Sequence, residues 1–307
     1  MNIAVIGGSG FIGKAIVNNL CATGHGVRVL DIRDQNDWIS SKATFAQCDV
    51  THYEETLKAL RGSDAVFHLA GTVLNVARKN PRLAIELDGL GLANVLEACI
   101  HARIPKIVYA SSFYIYDGLP ADKEVSEKHH SDIFSAEMFG AVKMIGEKLV
   151  YEYSRIHNLE YVVLRFGPAY GPDSRCTCVV YDFLKDGLRG LPLVVWGKGN
   201  RKNQYTYVND IANASTSALD HANEVFNIIS PEQVPLRDVA EALSRDHGFK
   251  VQYDITKSEG PSLPYISPSK AVEELAWEPV TLREGVQQTL EAMRANSLKD
   301  RVVVGTA

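Results

Sequence analysis

The sequence NIAVIGGSGFIG, at residues 2–13, places a short apolar run directly before three glycines that recur at every third position. The run at 2–6 predicts a buried strand, and apolar residues at helical spacing from 11 to 20 predict a helix. The glycines therefore lie in the turn between them, where glycine permits a tight bend and lets a ligand approach the backbone. Because the start of a helix attracts negative charge, the turn predicts a site for the pyrophosphate of a dinucleotide; the alternative is a glycine-rich turn without a ligand. The residues assigned to this site are Gly7, Ser9, Gly10, Phe11, Ile12 and Gly13.

A carboxylate follows at the end of the next predicted strand. Asp31 comes 18 residues after Gly13, at the position where an acidic side chain hydrogen-bonds the ribose of the adenosine. A carboxylate there repels the 2′-phosphate of NADP, so Asp31 predicts NAD as the cofactor. Arg33 lies close enough to weaken that preference, although a solvated side chain is the simpler interpretation of this arginine.

Short apolar strands alternate with helices as far as about residue 165. The predicted strands are residues 2–6, 26–30, 44–47, 65–69, 106–110 and 161–164. The predicted helices are residues 11–20, 53–60, 81–102 and 135–157. Repeated β-α-β units with uninterrupted apolar strands predict an α/β fold, a Rossmann-type doubly wound parallel sheet formed by residues 1–165.

The pattern changes after Arg165. Loops become longer and richer in proline, glycine and asparagine, at residues 167–173, 197–203 and 258–268. We expect residues 166–307 to form predominantly a smaller C-terminal substrate-binding lobe, with some return to the sheet. Such a lobe would close over the carboxyl ends of the strands, where ligands bind in open α/β sheets.

Composition excludes several classes of protein. A formal net charge of −5 and a pI near 6.0 argue against a nucleic-acid surface, which needs clustered lysine and arginine. Five cysteines without a Cys-x-x-Cys pair predict a reducing compartment rather than disulfides or a metal site. No apolar run reaches membrane-spanning length, and the first strand begins too close to Met1 to leave room for a signal peptide. We therefore expect a cytoplasmic protein that binds neither nucleic acid nor membrane.

Further motifs follow in a fixed order along the chain. They are DV at 49–50, HLAG at 68–71, SS at 111–112, GAVK at 140–143, YGP at 170–172, YVND at 207–210, PSKA at 268–271 and LAW at 275–277. Their order and spacing resemble the extended short-chain dehydrogenases/reductases, the group of NAD-dependent nucleotide-sugar epimerases and dehydratases. The resemblance implies further cofactor contacts by Asp49, Val50, Leu69, Ala70, Gly71, Lys143 and Phe166. It also implies a homodimer built on helices 81–102 and 135–157, although their apolar residues Leu92, Val95 and Leu96 are equally compatible with packing on the sheet.

The resemblance also implies a working trio of hydroxyl, phenol and ammonium. Ser112 matches the hydroxyl and Lys143 the ammonium, but the position of the phenol is Phe139. Residues 139 and 143 are four apart and share one helix face. The lysine of such enzymes binds the nicotinamide ribose and lowers the pKa of the phenol, whereas a benzene ring has no proton to exchange. Three explanations stay open: Phe139 was introduced to trap a substrate, it is native and another residue carries the proton, or catalysis was lost and cofactor binding kept.

Tyr114 is the candidate for another proton carrier. It lies two residues after Ser112, at an offset where sugar dehydratases have a glutamate and some epimerases a cysteine. The alternative is that Tyr114 only packs against the wall of the site. Asp173 occupies the position of a second acid/base in some epimerases, and a solvated loop residue is its simpler interpretation.

The substrate side departs from the family pattern. Relatives that bind nucleotide sugars hold the diphosphate with an arginine where this chain has Asn203, and a second arginine expected near 262–266 is absent. A neutral amide makes no ion pair with phosphate, so Arg201 or Arg175 would have to replace the missing charge. In addition, Asp88 stands where the family commonly has asparagine.

The leading hypothesis is an NAD-dependent sugar-nucleotide epimerase or dehydratase that acts by transient oxidation of a sugar carbinol. One alternative is an NAD(P)-dependent ketoreductase of a small non-sugar metabolite, suggested by Asn203. The other is a catalytically silent NAD-binding protein, suggested by Phe139. The sequence leaves open the sugar, the nucleotide and the direction of reaction.

Overall fold

A computed structural model describes residues 1–33, 42–174, 178–260 and 262–304, without the side chains of residues 297–304. The strands in this part of the chain are β1 (Asn2–Ile6), β2 (Gly26–Asp31), β3 (Ala43–Gln47), β4 (Ala65–His68), β5 (Lys106–Ser112), β6 (Glu124–Val125), β7 (Glu160–Phe166), β8 (Ala169–Tyr170), β9 (Leu193–Trp196), β10 (Lys202–Asn203), β11 (Thr206–Tyr207), β12 (Glu224–Ile228), β13 (Val234–Pro235), β14 (Val251–Asp254) and β15 (Tyr265–Ile266). The α-helices are α1 (Phe11–Ala22), α2 (Tyr53–Leu60), α3 (Leu74–Lys79), α4 (Pro81–Ala84), α5 (Leu92–His101), α6 (Met138–His157), α7 (Val179–Leu188), α8 (Val208–Ser217), α9 (Leu236–His247), α10 (Ser269–Glu274) and α11 (Leu282–Val304).

Seven parallel strands form the central sheet, in the order β12-β7-β5-β4-β1-β2-β3. The order reverses at β1, which lies between β2 and β4, and a crevice at such a switch point is where dinucleotides bind. The prediction of a Rossmann-type doubly wound sheet is confirmed. Its last strand, β12, comes from the C-terminal half of the chain and pairs with β7 along Glu224–Ile228.

Both faces of the sheet are covered because successive side chains of a strand point to opposite sides. Ile3 and Val5 of β1 belong to an apolar cluster that includes α1 and α8, whereas Ala4 and Ile6 belong to a second cluster that includes α2, α5 and α6. Leu92, Val95 and Leu96 lie in this second cluster and are fully buried. These three residues therefore pack on the sheet and are not available to a partner copy.

The helix predicted over 81–102 contains a wider turn. Between α4 and α5, the backbone over Ile85–Gly91 has the i+5 hydrogen bonds of a π-helix. Asp88 lies at the centre of this stretch and is 1% exposed. Sequence periodicity misses such a turn because the flanking residues still repeat at ordinary helical spacing; π-helical turns occur often at functional sites.

A second group of elements packs beside the sheet. Helices α7 and α9 pack against the pair β9–β14, over an apolar cluster that includes Leu184, Leu193, Val195 and Leu243 together with Leu290 of α11. The short strand β6 pairs with β15, so the two halves of the chain also meet away from the main sheet. In the described part of the chain, no helix combines the length and apolarity that crossing a membrane requires.

Candidate active site

The turn between β1 and α1 is closely packed around its glycines. Gly7 has a positive φ of 78°, and a Cβ there would lie 2.7 Å from the backbone nitrogen of Ala70. A Cβ on Gly13 would lie 2.3 Å from the carbonyl oxygen of Gly7. Helix α1 follows Gly10 without a side-chain cap, so its first amides are available to an anion. The Oγ of Ser9 is buried and has no hydrogen-bond partner among the described residues.

The carboxylate of Asp31 lies beside this turn. It accepts hydrogen bonds from the backbone N–H groups of Ser9, at 3.1 Å, and Arg33, at 3.2 Å. The side chain of Arg33 is exposed. One strand further along the sheet, Asp49 accepts hydrogen bonds from the backbone and hydroxyl of Thr51. Val50 next to it is buried and contacts the π-helical turn at Gly91.

A line of close contacts joins the glycine turn to Lys143. Ala70 abuts Gly7, and a Cβ on the adjacent Gly71 would lie 3.2 Å from the Nζ of Lys143. Leu69 packs against the apolar cluster that includes α1 and α8. The turn predicted to bind the pyrophosphate is therefore adjacent to the lysine predicted to bind the far end of the dinucleotide.

Lys143 forms a buried ion pair. Its Nζ lies 2.9 Å from Oδ1 of Asp88 and donates to the carbonyl oxygen of Ala110 at 3.2 Å. The other oxygen of Asp88 accepts from the backbone and the hydroxyl of Thr72, at 2.9 and 2.6 Å. Burial alone would raise the pKa of Asp88, but the Lys143 ammonium and the Thr72 hydrogen bonds hold it below its usual value. Burial would lower the pKa of Lys143, and its neighbours Tyr109 and Asp88 raise it instead.

A neutral histidine completes this buried cluster. His68, at the end of β4, stacks on Tyr109 with ring centroids 6.1 Å apart. Both ring nitrogens of His68 lack a hydrogen-bond partner among the described residues. Burial, together with the charge of Lys143, lowers the pKa of His68 to about 3, so the ring is uncharged at neutral pH.

The candidate catalytic side chains meet where β5 ends. Ser112 is buried opposite Phe166 in the register of β5 and β7, and its Oγ accepts from the backbone N–H of Tyr114 at 3.3 Å. The rings of Tyr114 and Phe139 lie edge to face with centroids 5.5 Å apart. The Nζ of Lys143 lies 5.8 Å from the centroid of the Phe139 ring. The structure thus brings together all four residues that the sequence assigned to chemistry.

Gly140 allows helix α6 to approach this group. A Cβ at Gly140 would lie 2.6 Å from the carbonyl oxygen of Tyr114. The hydroxyl of Tyr114 has no hydrogen-bond partner in the described ranges, and its burial raises its pKa, with Arg201 and Arg78 acting in the opposite direction. Tyr116, by contrast, is fully buried and exchanges hydrogen bonds with Arg165 and Asn227.

The predicted substrate residues fall into different surroundings. Arg201 and Asn203 lie together at β10 and are partly buried. Asp173 is exposed and has a φ of 64°, and Arg175 lies outside the described residues. No group of three potential metal ligands occurs in the ranges that the structure describes.

Residues 3–228 match the NAD dependent epimerase/dehydratase family. The chain belongs to this family. The "Putative UDP-glucose 4-epimerase" of Methanocaldococcus jannaschii is 30% identical over 96% of this chain and 99% of its own length. The UDP-glucose 4-epimerase of Thermus thermophilus, solved with NAD, has a TM-score of 0.85 at 29% identity, covering 96% of this chain and 99% of its own. That of Thermotoga maritima, solved with UDP-glucose, has a TM-score of 0.88 at 27% identity with the same coverage.

The match to this family confirms the resemblance that the sequence motifs indicated. It also confirms the predictions of an NAD-dependent enzyme and of NAD as its cofactor. Three features of this epimerase/dehydratase site fit NAD: the glycine cradle, the unpartnered buried Oγ of Ser9 and the carboxylate of Asp31. The individual contacts assigned to Asp49, Leu69 and Phe166 stay predictions.

Two parts of this epimerase/dehydratase site were only partly foreseen from the sequence. The sequence shows Asp88 as a departure from the family pattern, but it does not show the contact of Asp88 with Lys143. It shows His68 only as part of a motif. Local sequence does not predict the contact of Asp88 with Lys143 or that of His68 with Tyr109, because both contacts depend on how separate strands and helices pack.

Proposed function

We propose that this protein is a 4-epimerase of a UDP-linked sugar, with NAD as its bound cofactor. The curated relative from Methanocaldococcus jannaschii and UDP-glucuronate 4-epimerase 4 of Arabidopsis thaliana, 28% identical over 94% of this chain and 74% of its own length, support this activity. The observation that carries the proposal is the grouping of Ser112, Tyr114 and Lys143 next to the glycine turn.

When bound, NAD supplies a reversible acceptor for hydride. In the proposed mechanism, Ser112 donates a hydrogen bond to the 4-oxygen of the sugar. Lys143 binds the ribose of the nicotinamide half and is held in place by Asp88. These side chains orient the sugar carbon towards the cofactor and leave the proton of the 4-hydroxyl to a separate group.

Tyr114 is the proposed carrier of that proton, because Phe139 has none to exchange. The ionised phenolate of Tyr114 accepts the proton of the 4-hydroxyl as hydride leaves the carbon, and it returns the proton when hydride comes back to the opposite face of the sugar. The residue therefore ends the cycle in the state in which it began. Its unpartnered hydroxyl and its contact with Phe139 support this role.

The activity is tested by incubating the NAD-loaded protein with UDP-glucose or UDP-glucuronate and resolving the 4-epimers by anion-exchange chromatography. We expect interconversion of at least one pair. If the chain and its Phe139→Tyr variant both bind NAD but epimerise neither sugar, the proposal is wrong.

We also propose a homodimer that uses the exposed faces of the two long helices. In the π-helical turn between α4 and α5, Ile85 is 57% exposed and Leu90 is 52% exposed. On α6, Ile145 is 42% exposed and Ile156 is 60% exposed. Light scattering after size exclusion tests the mass, and Ile156→Glu should produce a monomer.

We propose the cytoplasm as the site of action, on the basis of the five scattered cysteines. Fractionation of cells that express the tagged chain tests this location.

A further inference from the structure

Asp88 carries a negative charge in the interior of the site. It lies in the π-helical turn over Ile85–Gly91, and its side chain is completely buried. One carboxylate oxygen lies 2.9 Å from the Nζ of Lys143, and the other accepts hydrogen bonds from the backbone N–H and the hydroxyl of Thr72. Each of these partners favours the ionised carboxylate. The site therefore holds a buried anion beside its buried cation.

This ion pair lies directly behind the backbone of Gly71. A Cβ at Gly71 would lie 2.4 Å from Oδ1 of Asp88 and 3.2 Å from the Nζ of Lys143. Gly71 is exposed, and the adjacent Ala70 packs against Gly7 of the glycine turn. Because glycine has no side chain to cover the pair, both charges act at short range on a ligand that extends from the turn along this segment.

His68 and Tyr109, which complete the buried cluster, are uncharged at neutral pH. Burial lowers the pKa of His68 to about 3 and raises the pKa of Tyr109 to about 12. The charges of Asp88 and Lys143 sum to zero, so the cluster as a whole is neutral. An amide at position 88, which the resemblance to the family implies, would leave the single positive charge of Lys143.

The residue at position 88 thus sets the charge that a bound nicotinamide ring meets. The ring is cationic in oxidised NAD and neutral in NADH. In the proposed mechanism, Lys143 binds the ribose next to this ring. A lone ammonium repels the oxidised ring, whereas a carboxylate paired with the ammonium offsets the repulsion, and both effects are larger than in water because the pair is withdrawn from solvent. A neutral pair therefore favours the oxidised form.

We propose that Asp88 makes this protein bind NAD in preference to NADH. The inference rests on the placement of Lys143 in the proposed function and extends that function from the sugar to the redox state of the cofactor. An epimerase needs a hydride acceptor at the start of every cycle, and NADH taken up from solution would occupy the site without accepting hydride. Through Asp88, the site selects the form of the cofactor with which the cycle begins.

The test measures the redox state of the bound cofactor. The NAD-loaded protein is dialysed to equilibrium against mixtures of NAD and NADH without sugar nucleotide, and bound NADH is read from the difference in near-ultraviolet absorbance between the two compartments. We expect the parent chain to hold mainly NAD when the two forms are equimolar in solution. In Asp88→Asn, we expect the ratio of the two affinities to shift towards NADH on the order of ten-fold, equivalent to a rise of about 30 mV in the potential of the bound cofactor.

Two further variants separate charge from shape. Asp88→Asn combined with Lys143→Gln again has a summed charge of zero, so its ratio should return towards that of the parent chain. Glu86→Gln removes a carboxylate from the same π-helical turn, but this side chain is 45% exposed and water screens its charge. It is the matched control, and its ratio should equal that of the parent.

A parent chain that binds NADH as tightly as NAD, or an unchanged ratio in Asp88→Asn, would overturn the role of Asp88. An equal shift in the double variant would also contradict it, because the effect would then follow from the shape of the carboxylate rather than from its charge. None of these results depends on epimerisation. Conversely, a protein that shows the expected ratios but epimerises no UDP-sugar, even as Phe139→Tyr, would refute the proposed function and leave this inference intact.

Discussion

The ammonium of Lys143 lies 2.9 Å from the carboxylate of Asp88, with the two side chains only 7% and 0% exposed. An adjacent carboxylate cancels much of the positive potential that an ammonium exerts on its surroundings. Position 139 lies one helical turn before Lys143, where the resemblance to the family implies a phenol that depends on that potential. The ion pair and the absence of a phenol at position 139 therefore both affect which group carries the proton in this chain.

Restoring the phenol should increase activity. We expect Phe139→Tyr to raise the rate of epimerisation, but by less than the ~10²- to 10⁴-fold that a positioned acid or base usually contributes, because Tyr114 already carries the proton in the parent chain. Initial rates at saturating UDP-sugar measure the change. The control is Phe139→Leu, which replaces the ring by an aliphatic side chain and adds no hydroxyl. No gain over the parent chain would mean that proton transfer does not limit turnover.

Asp88 should limit that gain. When Asp88→Asn is combined with Phe139→Tyr, the unopposed charge of Lys143 favours the phenolate and lowers the pKa of the new tyrosine further. We expect the alkaline rise of kcat to move to lower pH than in Phe139→Tyr alone. Profiles that coincide would show that the buried pair does not influence position 139.

Tyr114→Phe should abolish most of the activity of the parent chain, by a factor of about 100 or more. Because burial raises the pKa of Tyr114 and the phenolate is the reactive form, the rate of the parent should increase with pH across the alkaline range. Tyr151→Phe, at an exposed position of α6, is the control. Unchanged activity in Tyr114→Phe would remove the tyrosine from the mechanism.

His68 should make the protein sensitive to mild acid. Its pKa of about 3 in the folded chain lies below the ordinary value of 6.5, so the unfolded chain binds the proton more readily. Stability is full above pH 6.5 and falls as the pH decreases towards 3, with a loss of ~2 kcal/mol between pH 7 and pH 5. Urea unfolding of His68→Phe should lack this part of the pH dependence, whereas a change at the exposed His157 should retain it.

Local sequence was sufficient to predict the strand, glycine turn and helix at which we expect the cofactor to bind. The strand, glycine turn and helix of residues 2–22 are contiguous, and their pattern reflects short-range sterics that hold in any parallel sheet. The positions of Ser112, Tyr114, Phe139 and Lys143 could likewise be inferred, since each follows a strand or shares a helix face. The order and spacing of the motifs are also sufficient to indicate the family.

Only the tertiary structure decided the electrostatics. The contact of Asp88 with Lys143 needs a π-helical turn and the packing of α6 against it. The backbone N–H of Arg201 likewise donates a hydrogen bond to the carboxylate of Glu259, which is far away in the chain. Periodicity and motifs report which face of an element is apolar or which turn is tight. They do not report which charges meet, because burial and the partner of each charge arise from contacts between distant segments.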